Sequence, residues 1–565
     1  MRFFKIAGVP FVPKSVLCLK DYSRKTFFAD LVAGVTVGLV ALPLAMAFAI
    51  SSGVSPQAGL YCAIIAGFVI SALGGSRTQI GGPTGAFVVV VAGIIAKYGL
   101  DGLFTCTVMA GAMLIVLGVT GLGTAVRFIP RPVVIGFTNG IAVLIASTQI
   151  KDFFGLEIEQ VPGEFIERMS ALADNWNTGS AIAVTTSIAA LVVIIVMRHF
   201  VPRIPGSIVA LIGGTLVTWI FGLQLETIAT RFGGIPQGIP HLSMPGFRPE
   251  LMLHLLAPAL TIMMLGAIES LLSAVVADRM SGDKHNPNVE LFAQGVANML
   301  TPFVGGLPAT GAIARTATNI RSGAKTPVAG MIHALTLLAI ILVAAPLAGQ
   351  IPLCILAAIL MVVAYNMGEW QEIPDILKLS KSDISVWAIT FGLTVFADLT
   401  VAVEAGMILA ALVYIRNVTL TTTVARVTPE YVSAGFAHSL QTNEIPAGVA
   451  VFRIHGPFLF GATEKLALVE QDLESLPPVV VLRLRNMTAI DATGIHALEH
   501  LAERLRKSGR HLLVCGMRDQ PASLMTKAEF HRLIGEANIA PTLEAALMRA
   551  RELLRQDPAV PVSET

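Results

Sequence analysis

The sequence of 565 residues predicts a polytopic α-helical membrane protein of 14 spans, arranged as two inverted sevens, with a C-terminal α/β domain after them. Three observations predict it. Hydrophobic residues make up 54% of the chain and charged residues 13%, and mean hydropathy is +0.73. That is more apolar surface than soluble domains of about 100–200 residues can bury. Two helix-breaking stretches recur as a matched pair, "GGPTGAF" at 81–87 and "GGLPATGA" at 305–312. After residue 420 the long apolar runs give way to short ones separated by charged amphipathic segments.

At about 20 apolar residues per span, candidate helices fall near 28–50, 57–74, 83–97, 103–126, 131–151, 178–200, 205–222, 251–277, 288–304, 309–322, 327–346, 351–366, 383–398 and 399–416. Several are too short to cross alone. Lys20, Arg24, Lys25, Arg77, Arg127, Arg131, Arg198, Arg203, Arg279, Lys284, Arg321, Lys325, Lys378 and Lys381 fall on one side. The other side carries the acidic loop "KDFFGLEIEQVPGEFIERMSALADNW". By the positive-inside rule both termini are cytoplasmic. Residues 1–26 are basic, patchily apolar and without a small-residue cleavage site, which makes them a cytoplasmic lead-in and not a signal peptide. The membrane domain then spans 27–420, a linker 421–439, the α/β domain 440–555 and a tail 556–565.

In the α/β domain "VAVFRIHG", "VVVLRLRN" and "RHLLVCGM" read as buried strands, and "IHALEHLAERLRKSG" places apolar residues at 495, 498, 501, 502 and 505, a helical face.

Paired interrupted segments in the two halves of a membrane domain point to an inverted-repeat transporter with its site at the midplane. Pro83 and Pro308 suit the first turn of a helix, where a missing N–H costs nothing. Irregular backbone before them is tolerated where it lines a cavity. The N–H groups of Thr84, Gly85 and Ala86, and of Thr310, Gly311 and Ala312, are expected to face one another there. Each helix N-terminus contributes about half a positive charge, so the pair attracts an anion. Arg315, one turn beyond the second breaker in "GAIARTATNI", is costly at membrane depth unless it meets a counterion, a carbonyl or a bound anion, and the obvious structural counterion is Glu269 of "MMLGAIESLLSAVVADRM". Glu269 and Ser273, four apart, share a helix face. Burial favours a neutral carboxyl and a nearby arginine favours a charged one, so proton exchange at Glu269 is physically available.

A net charge of +2 offers no extended basic surface, which argues against a nucleic-acid partner. The five cysteines show no CxxC or metal-ligand spacing, so no disulfide framework, metal or cofactor is expected. No catalytic nucleophile or nucleotide loop is visible, and an enzyme is not expected.

Across nearly its whole length the chain resembles the SulP family of anion transporters. The resemblance rests on "DLVAGVTVGLVALPLAMAFAISSGVSPQAGLY", "GGPTGAF", the block from "GAIESLLSAVVADRM" to "GGLPATGAIARTATNIRSG", and a C-terminal segment like a STAS domain. It implies fourteen helices in a seven-plus-seven repeat, a core moving against a gate, and a cytoplasmic STAS domain supporting a homodimer. It also implies an anion held between the third and tenth half-helices, by Phe48, by Thr84, Gly85 and Ala86, and by Ala314 and Arg315. Some members carry serine where Ala314 stands, which leaves more of the coordination to backbone N–H groups. Sodium-coupled bicarbonate members have an aspartate followed by a threonine where this chain has Glu269 and Ser273, a swap that resembles the proton-coupled members. "AIDATGIHAL" resembles the STAS loop that carries a phosphorylatable hydroxyl, here Thr493 after Asp491. The same threonine is equally suited to N-capping a helix that begins near Gly494.

The expected function is secondary active transport of a small oxyanion, sulfate by proton symport, with elevator-like alternating access in a bacterial inner membrane. C4-dicarboxylate uptake, sodium-coupled bicarbonate uptake, an anion channel and a STAS-based sensor stand as alternatives.

Overall fold

Each expected span is found as a helix in the computed structural model, which describes residues 5–6, 9–122, 130–158, 161–201, 205–235, 238–397, 399–427, 445–466, 469 and 475–556. They are α1 (Arg24–Ser51), α2 (Pro56–Leu73), α3 (Gly85–Thr120), α4 (Arg131–Phe154), α5 (Ala181–Phe200), α6 (Gly206–Phe221), α7 (Leu256–Ser281), α8 (Pro287–Leu300), α9 (Ile313–Arg321), α10 (Val328–Gly349), α11 (Leu353–Met367), α12 (Lys381–Phe396) and α13 (Leu399–Thr421). The segments expected at 83–97 and 103–126 share α3, jointed at Gly99, whose φ of +71° and ψ of −177° break the helical backbone. A glycine takes that conformation without strain. Among the described residues eight helices are long and apolar enough to cross a membrane, and Gly206–Ile220 and Ala405–Thr421 are shorter apolar helices. The structure divides into two units, 1–408 and 409–565.

In the first unit the packing is reciprocal. Helices α1 and α2 pack on α10, α7 and α8 pack on α3, and α4 packs on α11. Counting the two halves of α3 as separate spans, the first and second helices of each half lie against the fourth helix of the other. This is the arrangement that two repeats related by a two-fold axis produce. The α3–α8 contact is close because Gly111 and Gly295 face each other; a Cβ on Gly295 would stand 2.6 Å from the Gly111 carbonyl oxygen.

The breakers meet in the middle of this unit. Gly81–Gly82 (β1) and Thr310–Gly311 (β2) form an antiparallel pair with Gly81 opposite Gly311 and Gly82 opposite Thr310. The prolines stand outside the helices they were expected to open: the N-caps are Thr84 and Ala312, one and four residues beyond Pro83 and Pro308. The fixed φ of proline here shapes the extended approach to the cap and not the first helical turn.

The second unit carries a five-stranded sheet of β3 (Thr423–Arg426), β4 (Val449–Phe458), β5 (Val479–Ile490), β6 (His511–Cys515) and β7 (Ile539–Ala540), in that order. The first pair is antiparallel and the rest parallel. The sheet therefore begins at Thr423, inside the stretch expected to be a linker, because a four-residue run directly after α13 completes its edge. Residues 428–439 of that linker, and the tail after 556, lie outside the described residues. Helix α14 (Ala492–Lys507) buries Ile495, Leu498, Leu501, Ala502 and Leu505, the five positions its periodicity marks. Asp491 caps it, with Oδ1 accepting from the Gly494 N–H at 2.8 Å and Oδ2 from the Phe460 N–H at 3.1 Å. Thr493 is thus not the cap; it stands exposed in the first helical turn.

Candidate functional site

The strand pair brings the start of α3 and the start of α9 to one cavity of about 280 Å³. Thr84, Gly85 and Ala86 line it from α3, Ala312, Ile313, Ala314 and Arg315 from α9, Leu44 and Phe48 from α1, and Glu269 from α7. Val133, Val134, Phe137, Thr138 and Ile141 of α4 supply an opposing wall, completed by Asn366, Met367 and Glu369 at the end of α11 and by Met407. The walls are mostly apolar, with a few polar groups that converge, as ligand sites usually are.

Helix capping is arranged to leave the two N-termini open. Thr84 is the N-cap of α3, yet its side chain does not bond its own helix. Its Oγ1 instead donates to Glu269 Oε2 at 2.7 Å. The first-turn N–H groups of α3, at Gly85 and Ala86, have no intrahelical acceptor and lie on the cavity wall. On α9 the distribution differs from expectation. The Ala312 N–H donates to the Ile80 carbonyl at 2.8 Å, Thr310 and Gly311 belong to the strand pair, and Thr310 Oγ1 donates to the Gly266 carbonyl at 2.9 Å. Thr310 and Gly311 are not on the cavity wall. The open amides of this half-helix are those of Ile313, Ala314 and Arg315, a shift of three residues imposed by the β pairing.

Arg315 is 2% exposed. Its Nη2 donates to the Pro83 carbonyl, and Nη1 has no hydrogen-bond partner among the described residues. Glu269 is held by Thr84 and Arg315 by Pro83, so the ion pair available to the two side chains is not made. Both side chains are tied to the first breaker, which fixes α7 and α9 against the start of α3. Ser273 does not reach the cavity: it is fully buried and its Oγ donates to Thr316 Oγ1 at 3.2 Å. Glu269 and Ser273 share a helix face, but only the residue nearer the breakers opens to the site.

Sequence reasoning missed the α4 wall and the α11 end. The signal was present as "AYNMGEW", where an apolar run breaks on Asn366, Gly368 and Glu369. Asn139 of α4 donates to the Gly368 carbonyl and accepts from Trp387 Nε1 at 2.9 Å, and Arg131 pairs with Glu372. These contacts hold α4, the α11 end and α12 together as the second wall.

The breaker glycines are expected to differ in what they tolerate. A Cβ on Gly85 would stand 2.9 Å from Ile145 Cδ1 and 3.3 Å from Phe48 Cε1, on the cavity side. Gly85→Val should fold, at an overpacking cost of roughly 1–3 kcal/mol, and lose most of its uptake, because the branched side chain enters the cavity beside Phe48. A Cβ on Gly311 would land on the Gln79 amide, which is fixed by hydrogen bonds of 3.1 Å to both Ser270 O and Ser270 Oγ. Gly311→Val should therefore reduce the yield of folded protein on size exclusion. Normal yield and transport in both variants would make these glycines ordinary packing positions.

Comparison with known proteins bears on the same chain. Residues 27–390 match the Sulfate permease family and residues 441–546 match the STAS domain. YvdB of Bacillus subtilis (strain 168), whose name proposes sulfate transport, is 40% identical over 525 residues, covering 92% of this chain and 96% of that protein. The bicarbonate transporter BicA of Synechocystis sp. (strain ATCC 27184 / PCC 6803 / Kazusa) is 31% identical over 539 residues, covering 92% of this chain and 94% of the relative. The transmembrane domain of a cyanobacterial BicA superimposes with a TM-score of 0.60 at 33% identity, over 68% of this chain and 98% of that one. Murine Slc26a9 in its inward-facing state shares the fold with a TM-score of 0.84 at 17% identity, over 96% of this chain and 94% of that chain. The chain belongs to the sulfate permease family of multi-pass membrane anion transporters, which are not enzymes, and ends in a STAS domain.

Proposed function

We propose that the protein takes up a small oxyanion, sulfate in the first place, by proton symport. The observation that carries this reading is a single cavity bounded by two open helix N-termini, Arg315 and Glu269. The dipoles and the guanidinium favour an anion, and Glu269 is placed to carry a proton beside it. An anion bound near Glu269 repels its charge and favours its neutral form, so substrate and proton bind together. Uptake then rises as external pH falls. Alternating access is elevator-like, in a homodimer of the plasma membrane with both termini cytoplasmic.

A second reading, sodium-coupled bicarbonate uptake, draws on the identity with BicA. Proteoliposome uptake of labelled sulfate, succinate and bicarbonate, each under an imposed proton or sodium gradient, separates the two. Sulfate accumulation driven by protons without sodium supports symport; bicarbonate accumulation stimulated by sodium alone replaces it.

The STAS unit has a core of its own, built on Phe458, Leu482, Leu498, Leu501 and Phe530. Deleting 440–565 should weaken dimerisation or expression while the remaining protein binds substrate with unchanged affinity. A dimeric truncation that cannot bind substrate, compared with the full chain by size exclusion and labelled-anion binding, would overturn that division. Thr493 is exposed at a helix N-terminus, where a phosphate is well placed, and regulation through it forms part of this proposal.

A further inference from the structure

Behind the anion site, six buried residues carry polar atoms with no hydrogen-bond partner among the described residues: Ser71 Oγ, Thr78 Oγ1, Gln79 Oε1, Arg315 Nη1, Asn319 Oδ1 and both ring nitrogens of His333. None of the six is more than 4% exposed. The Gly330 carbonyl, one turn before His333, interacts with the ring but is not in hydrogen-bond geometry to it. Native interiors satisfy such groups with protein partners or with ordered water, and a polar, enclosed space is where buried water collects.

Three of these groups are set out in a row by α2. Ala63, Gly67 and Ser71 recur every four residues on one face of the helix, roughly 6 Å apart along its axis. Gly82 packs on Ala63, and a Cβ on Gly82 would stand 3.4 Å from Ala63 Cα and 2.7 Å from Arg315 Nη1. A Cβ on Gly67 would stand 3.1 Å from His333 Cε1 and 3.2 Å from Nδ1. Ser71 Oγ occupies the space beside Gly330, on the α10 turn next to His333. A guanidinium, an imidazole and a hydroxyl therefore follow one another at successive turns of α2, leading away from the anion site.

We propose that this row is a water-filled proton path, and that His333 is a positioning residue that binds a second proton together with the anion and acts on the site through Arg315. The proposal rests on the proton-coupled reading above and extends it from one titrating group to two. The physical reason is charge. With the site empty, the Arg315 guanidinium repels a proton on the imidazole; an anion on Arg315 offsets that repulsion, so His333 takes up a proton as the anion binds.

Of the other charged groups on the elements packed against α10, Arg24 and Lys25 are exposed at the start of α1, and Asp30 and Arg231 are engaged elsewhere. Asp30 of α1 accepts from the Lys325 and Thr326 N–H groups and from Thr326 Oγ1. Arg231, in the short helix Ile228–Phe232, pairs with Asp152 and Glu226. Tyr61 and Cys62 on α2 are buried, and the Cys62 Sγ donates to the Leu307 carbonyl. Arg315 is the charged group that stands in the row one turn of α2 from the ring.

The test is equilibrium binding of labelled sulfate to the purified full-length protein between about pH 5 and 8, where a histidine changes charge, with labelled succinate and bicarbonate run in parallel. Glu269→Gln should leave part of the pH dependence in place, with affinity falling by up to about tenfold per pH unit between the titration of the ring in the empty protein and its titration in the anion-bound protein, and levelling off above the latter. Adding His333→Gln should flatten it. At pH 8 His333→Gln should bind as tightly as the native protein, which shows that the site is folded; if it does not fold, His333→Asn carries the same measurement. An unchanged slope on adding the His333 substitution overturns the proposal, as does a Glu269→Gln protein that is already flat, and in that second case coupling through Glu269 survives. A native protein whose affinity for all three anions ignores pH removes both.

Discussion

Arg315→Ala is expected to abolish saturable uptake while the protein still purifies as a monodisperse species. Arg315 is the basic side chain on the cavity wall, and it stands at the first turn of α9, where the helix dipole already favours negative charge. A hydrogen bond to a charged partner contributes about 1.5–3 kcal/mol, so its loss corresponds to a fall in affinity of roughly 10- to 150-fold. The substitution also releases the Pro83 carbonyl from Nη2, which loosens the tie between α9 and the first breaker. Labelled-anion binding separates the two effects: lost affinity at normal yield identifies a substrate contact, whereas lost yield identifies a strut. Unchanged affinity in a folded Arg315→Ala protein would place the anion elsewhere.

Glu269→Gln is expected to retain binding and passive exchange but to lose most of the accumulation driven by a pH gradient. Glutamine keeps the shape of the protonated acid and can still accept from Thr84 Oγ1, so the wall of the cavity is preserved. What it cannot do is release a proton. A carrier that is permanently neutral at this position returns empty as readily as loaded, which removes most of the link between the gradient and the substrate. Proteoliposomes with an inward proton gradient and no sodium provide the measurement. Undiminished uphill uptake by Glu269→Gln would exclude Glu269 as the principal proton carrier.

The site was legible wherever a residue type conflicted with its surroundings. Proline and glycine inside apolar runs, and Arg315 and Glu269 at membrane depth, are costly unless they serve a cavity, and cost is what sequence shows most clearly. The apolar wall from α4 was not legible, because Val133, Phe137 and Ile141 look the same facing lipid, a neighbouring helix or a ligand. The shift from Thr310–Ala312 to Ile313–Arg315 was hidden for another reason. Which N–H groups stay open depends on the pairing of β1 with β2, a contact between residues more than two hundred positions apart. Length alone separated the segments at 83–97 and 103–126, and the helical backbone breaks between them at Gly99. The sheet edge at Thr423 was missed because a four-residue strand beside a long helix leaves too short a pattern to read.

The two-residue ladder between the breakers has a kinematic consequence. A binding pocket usually releases its ligand by separating the surfaces that grip it. Here the two half-helices are stitched by main-chain hydrogen bonds, reinforced by Arg315 on Pro83. Separating the half-helices would strip those bonds. In the elevator-like transport proposed above, the remaining degree of freedom is a common displacement of both half-helices past α4, whose share of the cavity wall is aliphatic and aromatic apart from Thr138, and Thr138 Oγ1 donates to the Ile135 carbonyl of its own helix. On that proposal the anion travels with its donors, and the seam that opens is the greasy one.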